Sequence, residues 1–203
     1  MNDLLKKNKK ALVIVAHPDD ETIWMGGTIA RYKTLRWTIF ALCRASDADR
    51  APKFARVCEY LGAKSIMTDL DDVDELTLDE ATEEAEKLLR KKLKNKKFQY
   101  VFTHNENGEY GHSRHIAVHR AVNKLLEEGF LQPEKIFYFN YQKKDKTLDY
   151  SEIILDKEGG KVVELSDEEY QAKRDIVSMI YGFAPDGPDI NYCTNPEGFI
   201  VKN

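Results

Sequence analysis

The residues able to do chemistry gather where an apolar run stops. Ala11 to Glu21 reads ALVIVAHPDDE, six apolar residues followed by His17, Pro18, Asp19, Asp20 and Glu21. A strand buried on both faces that ends here delivers an imidazole and three carboxylates to the carboxyl edge of a sheet, where open α/β folds keep their ligand crevice. Pro18 cannot donate to a ladder and restricts its neighbours, which ends the strand. Asp19 and Asp20 leave an irregular backbone in different directions, so one is available to bind a metal with His17 while the other acts as a base.

A second segment supplies the remaining nitrogen ligands. Thr103 to His119, THNENGEYGHSRHIAVH, holds four of the five histidines, namely His104, His112, His115 and His119, directly after the apolar Tyr100 to Phe102. One histidine and one carboxylate from one strand end, with a histidine from another, make three N/O ligands and an open fourth position. That is the pattern of a catalytic zinc, whereas structural zinc is closed and mostly bound by cysteine. Fe²⁺ suits the same donors. His115 and His119 share a helix face at i, i+4, but residue 116 is isoleucine where a zincin carries glutamate, so His119 is read as a packed histidine behind the site.

Alternating strands and helices must position these groups. After the first strand, Thr22 to Thr34 reads as a helix, with Gly26 and Gly27 allowing close packing. Trp37 to Cys43 is a second strand, Lys53 to Leu61 a helix closed by Gly62, and Ser65 to Thr68 a short third strand. Leu78, Ala81, Ala85, Leu88 and Leu89 give helical periodicity up to Asn95. Tyr100 to Thr103 is a strand, Ser113 to Glu127 a helix and Ile136 to Tyr141 a further strand. Such repetition predicts a parallel sheet covered on both sides. Tyr150 to Glu164, with Lys157-Glu158-Gly159-Gly160 between apolar runs, predicts an appended β-hairpin, and Asp167 to Tyr181 a last helix.

Together these motifs resemble the LmbE-like, or PIG-L, zinc deacetylases. The resemblance rests on AHPDDE (Ala16 to Glu21), Gly26-Gly27, the YGHxxH of Tyr110 to His115, RAPKFARVCEYLGA (Arg50 to Ala63), Lys173 and Glu197-Gly198-Phe199. It implies an α/β fold, a Rossmann-like three-layer sandwich with a mostly parallel sheet and the appended hairpin and helix, as a single domain over residues 1–203. It implies removal of the acetyl group from an N-acetylglucosamine-type sugar or glycoconjugate by zinc-activated water, with His17, Asp20 and His115 as metal ligands. Asp19 is then the general base, while Tyr110 and His112 face the amide carbonyl. Substrate contacts are expected from Arg50, Arg114 and His104. One departure stands out: Ser113-Arg114 replaces the family's Pro-Asp. A carboxylate there would favour a charged His112, whereas an arginine nearby would disfavour it; Glu109 and Glu106 are candidates to replace the lost partner.

Composition narrows the remaining classes. A chain of 203 residues with net charge −4 gives no basis for nucleic-acid binding, and Lys6, Lys7, Lys9 and Lys10 read as a solvated lead-in to the first strand. Six apolar residues are too few for a membrane span or a signal peptide, so no stable membrane insertion is expected. Cys43, Cys58 and Cys193 are scattered and odd in number, which suits reduced thiols in the cytoplasm. Self-association is left open. Two other classes compete: a nucleotide-sugar-dependent glycosyltransferase, from the D-x-D of Asp69-Leu70-Asp71, and a catalytically impaired sugar- or metal-binding relative, from Arg114.

Overall fold

Strand β1 (Lys10–Val15) lies in the interior of the sheet, where every residue after Lys10 is apolar and fully buried. In the computed structural model, which describes residues 4–73, 75–148, 151–156 and 159–203, it pairs in parallel with β2 (Arg36–Cys43) and β4 (Tyr100–Thr103). Beyond these, β3 (Lys64–Leu70) adds to β2 and β5 (Lys135–Phe139) to β4, again in parallel. The far edge is antiparallel: β9 (Glu197–Lys202) pairs with β5, and β8 (Lys161–Val163) pairs with β9. Strand order is β3-β2-β1-β4-β5-β9-β8.

Alternate residues of each strand point to opposite faces, and each face has its own core. Val13, Val15, Ile39 and Phe102 pack against helices α1 (Asp20–Arg31) and α2 (Arg50–Tyr60). Leu12, Ile14, Phe40 and Val101 pack against α3 (Leu78–Leu93) and, beyond a single turn α4 (Gly108–Gly111), against α5 (Ser113–Glu127). The expected three layers with a mostly parallel sheet are therefore present. At Thr77 a capping box starts α3, its hydroxyl receiving the Glu80 N–H while Glu80 reaches back to the Thr77 N–H.

The appended segment pairs differently from the expectation. Both apolar runs are strands, but β7 (Ile153–Leu155) joins β6 (Tyr141–Lys143) and β8 joins β9, so they do not form a hairpin with each other. Tyr150, Lys157 and Glu158 lie outside the described residues. β8 extends the edge of the large sheet, whereas β7 and β6 form a separate two-stranded sheet. Leu155 packs so closely on Gly198 that a Cβ there would meet its Cδ2 at 2.3 Å.

The helix expected over Asp167 to Tyr181 is α6 (Asp167–Asp175), which continues as a π-helical turn over Ile176–Ile180, and a short helix, α7 (Pro188–Asn191), follows it. The Lys173 ammonium of α6 is buried against Glu197, whose carboxylate also accepts the N–H groups of Gly27 and Thr28. Glu197 thus ties both α6 and α1 to β9, near a kink in α1 where Met25 has φ −152°. Gly27 is required there, since a Cβ would stand 2.5 Å from Leu165.

The direction of chain propagation reverses between β1 and β4: β1, β2 and β3 step outward one way, then β4 crosses to the other side. Diverging connections open a crevice at that switch point. The histidine motifs follow β1 and β4.

Candidate metal centre

His17, Asp20 and His115 meet at the crevice floor. His17 Nδ1 stands 3.3 Å from Asp20 Oδ2, His115 Nε2 3.4 Å from Asp20 Oδ1, and the two ring nitrogens 3.3 Å from each other. A tetrahedral zinc with bonds of about 2.0–2.1 Å has ligand–ligand edges of about 3.3–3.4 Å, and each ring nitrogen stands at that distance from the other and from one oxygen of Asp20, a different oxygen for each ring. The remaining ring nitrogens are occupied by carboxylates, His17 Nε2 by Asp72 at 2.7 Å and His115 Nδ1 by Glu109 at 2.6 Å. Metal-ligating histidines are held in this way, because the outer carboxylate fixes both tautomer and ring orientation.

Asp20 is oriented by two donors and by its place on α1. The His17 N–H gives to Oδ2 at 2.8 Å, the Trp24 indole to Oδ1 at 3.0 Å, and the start of α1 favours negative charge. Burial disfavours its carboxylate, but the His115 and His104 rings outweigh this and hold its pKa well below the ordinary value. Its neighbour behaves oppositely. Asp19 has φ 138°, a strained position for a non-glycine residue, and its N–H is held by Glu21 at 3.1 Å. Burial and the Asp20 charge raise the Asp19 pKa well above the usual carboxylate range. Glu21 itself is buried and receives the Thr22 and Tyr181 hydroxyls at 2.6 and 2.8 Å, so it braces the turn from below.

A cleft of about 280 Å³ opens above the centre, and His17, Asp19, Asp20, Arg50, Tyr110 and His112 all line it. Arg50 lies over the Phe183 ring at 4.3 Å, with Nη1 3.5 Å from Asp19 Oδ2 and without a hydrogen-bond partner. Tyr110 packs between Trp24 and Tyr192, and burial raises its phenol pKa, so it is a hydrogen-bond donor throughout the physiological range. His112 caps α5, its Nδ1 accepting the Arg114 N–H at 3.2 Å, which leaves the Nε2 proton as the donor. Burial, with the His115 and His17 rings, lowers its pKa to about 3, so it is neutral near pH 7.

Two expected substrate contacts are elsewhere. His104 is wholly buried behind the centre: Nε2 accepts the Ala16 N–H at 3.0 Å and Nδ1 meets Glu109 at 2.7 Å. The Glu109 and Asp20 charges overcome burial and raise the His104 pKa to about 9, yet the Ala16 N–H requires a lone pair on Nε2, and the hydrogen bonds describe a neutral ring. Arg114 is also wholly buried, its guanidinium turned from the cleft onto Asp71. Glu109 does not replace the family's aspartate beside His112, because it bonds His104 and His115 instead. His119 sits one step further back, on the His104 carbonyl at 3.0 Å. The D-x-D is used locally: Asp69 accepts the Ser46 N–H at 2.6 Å and Asp71 pairs with Arg114.

Trp24 and Asp72 carried no motif signal. Trp24 follows Asp20 by four residues on one helix, a spacing that does bring side chains together. Asp72 reaches His17 from 55 residues away, through an acidic run that reads as solvated surface.

Fold and centre together define an open α/β protein with a three-donor N/O site at its topological switch point. The family model for GlcNAc-PI de-N-acetylases, PIG-L, matches residues 12–126, and the chain belongs to that family. The match includes both histidine motifs. Bos taurus N-acetylglucosaminyl-phosphatidylinositol de-N-acetylase is 29% identical over 132 residues, 60% of this chain and 52% of the bovine protein. An uncharacterised protein of Acanthamoeba polyphaga mimivirus is 26% identical over 147 residues, 64% of this chain and 61% of that protein. The chain thus spans about half to three fifths of the curated relatives it matches.

Solved structures share the fold over nearly the whole chain. The N,N'-diacetylchitobiose deacetylase of Pyrococcus horikoshii superposes with TM-score 0.64 at 18% identity, covering 96% of this chain and 84% of that one. The 4-carboxy-2-hydroxymuconate hydratase of Pseudomonas putida KT2440 does so with TM-score 0.63 at 14% identity, covering 95% of each. A deacetylase and a hydratase on one fold mean that chemistry has to be argued from the site.

Proposed function

We propose that this protein is a metal-dependent N-deacetylase acting on an N-acetylglucosamine-type sugar or glycoconjugate, with His17, Asp20 and His115 as metal ligands. The observation that carries the reading is the convergence of two ring nitrogens, 3.3 Å apart, on the Asp20 carboxylate, with an oxygen of it 3.3 Å from His17 and the other 3.4 Å from His115, each imidazole backed by a second carboxylate. Family membership supports the amide substrate, and the N/O donor set suits Zn²⁺, with Fe²⁺ second. Bound there, the metal supplies a Lewis acid that polarises a carbonyl and acidifies water.

The chain's own groups do the rest. Asp19, at the lip of the cleft with a raised pKa, takes a proton from the attacking water and is a stronger base than an ordinary aspartate. The Tyr110 hydroxyl and the His112 Nε2–H point donors at the carbonyl oxygen as it gains charge. A neutral His112 serves this role without the carboxylate that Arg114 displaces. Arg50, stacked on Phe183 and with an unfilled N–H, holds sugar hydroxyls or an anionic substituent.

Residues 1–203 are read as one domain, supported by core clusters that draw on Leu5 through Phe199. A cytoplasmic setting is supported by three buried, unpaired cysteines. Among the described residues no helix is long and apolar enough to cross a membrane.

The test is metal analysis of the purified protein joined to an amine-release assay on a panel of N-acetylglucosaminides. One zinc or iron per chain and released amine are expected. Asp19→Asn should keep the metal and lower turnover by ~10²–10⁴, since only proton transfer is lost. Metal loss in that variant equal to that of Asp20→Asn would mean that both carboxylates coordinate.

A further inference from the structure

The turn after β3 carries two adjacent aspartates, and the fold sends them to different parts of the centre. Asp72 Oδ1 accepts from His17 Nε2 at 2.7 Å, while its Oδ2 takes Arg44 Nε and Nη2 at 2.6 and 2.5 Å. Asp71 turns the other way. Its Oδ2 receives Arg114 Nη2 at 2.5 Å, its carbonyl receives Arg114 Nε at 2.5 Å, and the Leu76 carbonyl takes Nη2 at 3.2 Å. Arg114 stands on the first turn of α5, next to His115.

We propose that this pair of aspartates is a positioning element of the metal centre: Asp72 fixes the ring of His17, and the Asp71–Arg114 bridge locks the turn that presents Asp72 to the segment that carries His115. The proposal rests on the reading of His17 and His115 as metal ligands.

The physical case starts with the imidazole. An unrestrained ring exchanges the positions of its two nitrogens by rotating about its last side-chain bond; a carboxylate on Nε2 leaves Nδ1 and its lone pair facing Asp20 and His115. Arg44 occupies the second Asp72 oxygen, so the carboxylate cannot swing away from His17. Arg114 uses the planar fork of its guanidinium on three acceptors at once, a geometry that lysine cannot reproduce. The coupling also accounts for the departure at position 114. With Asp71 beneath it, an aspartate at 114 would set two carboxylates against each other in a buried place, so arginine at 114 and aspartate at 71 belong together.

Asp72 also lines the cleft, so contact with substrate is the competing role. The experiment is zinc titration of the apoprotein against a chromophoric chelator, with Co²⁺ absorption spectra as the second readout. Wild type is expected to bind one zinc per chain. Asp72→Asn should weaken zinc by ~10–100-fold and shift the cobalt spectrum. Arg114→Lys should weaken zinc less, and the double variant should lose no more than Asp72→Asn alone, because both act through one bond to His17. Arg44→Gln keeps the Asp72 carboxylate and removes its clamp; it should give a smaller loss, and it carries the test if Asp72→Asn does not fold. Unchanged zinc affinity and cobalt spectrum in Asp72→Asn and Arg44→Gln, with only KM raised, would overturn the proposal in favour of a substrate contact. Additive losses in the double variant would overturn the link through Arg114. A wild-type apoprotein that takes up no zinc or cobalt would instead overturn the metal reading itself.

Discussion

His115 leans on Glu109, six residues earlier in the same segment, whereas His17 leans on Asp72, 55 residues further along the chain. Glu109 has no solvent exposure and is shared by two histidines and the Asn105 N–H. Asp72 keeps about an eighth of its side-chain surface, 12%, and is held by the side chain of Arg44. One outer carboxylate is therefore built into its own loop, where Gly108 at φ +59° and Glu109 at φ 56° force the turn. The other is assembled from four separate elements. A buried carboxylate that a backbone N–H of its own loop helps to hold is hard to displace; one held by side chains from distant segments depends on every partner.

That contrast can be broken by experiment, and the largest effect serves as its baseline. His17→Ala and His115→Ala should each leave the protein without stoichiometric metal, as measured by elemental analysis after gel filtration; full retention in either would remove that residue from the centre. Next comes Glu109→Gln. It leaves the buried network with a donor facing His104 or His115, so zinc affinity should fall by ~100-fold and stability by about 1–3 kcal/mol. Asp72→Asn, in its more open position, should match the lower part of the affinity loss with little change in apoprotein melting temperature. Equal stability losses in the two variants would erase the distinction drawn between them.

A smaller effect appears in the pH dependence. Without metal, burial opposes the charged form of His17, but bonds to Asp20 and Asp72 outweigh it and raise its pKa to about 9. Metal must then displace a proton at neutral pH. Against burial, the Asp20 charge raises the His115 pKa as well, so apparent zinc affinity should rise at least about tenfold per pH unit up to about pH 9, measurable by titration in a series of buffers. Since the folded pKa lies above the unfolded value, the metal-free protein holds this protonation stability in full below pH 6.5 and loses it as the pH rises through about 9. Asp72→Asn removes one of the two anions, which lowers the His17 pKa and flattens the zinc curve. An unaltered slope in that variant would mean that Asp72 and His17 do not share a proton.

Much of the fold was legible because its signals are local. The run Leu12 to Val15 and the abrupt polar stop at His17 announce an interior strand and a site at its end, and the structure puts β1 inside the sheet with a parallel partner on each side. Helix α5 begins and ends where expected, from Ser113 to Glu127. The run before Gly159-Gly160 was harder. Its strand character could be read, but its partner, β6 in a separate two-stranded sheet, was set by how the chain packs around the main sheet.

At the site the division falls between residue type and residue partner. A histidine and two aspartates after one strand, with more histidines after another, are a property of the chain, and so is the chemistry those donors can support. Which of the four later histidines faces the centre is not. His104 follows its strand as directly as His17 follows β1, yet the Ala16 N–H and Glu109 consume both its ring nitrogens, and the turn at Gly108–Gly111 brings His112 and His115 forward instead. Arg114 looked like a group beside His112; the rotation of α5 buries it on Asp71. The sequence by itself determined the order of strands and helices, the donor types and their place at strand ends, because these depend on periodicity and neighbouring residues. Tertiary structure alone decided that Asp72 would meet His17 and that Lys173 would meet Glu197. Those contacts depend on how separate elements are rotated and spaced once their apolar faces have packed, and no local pattern encodes that.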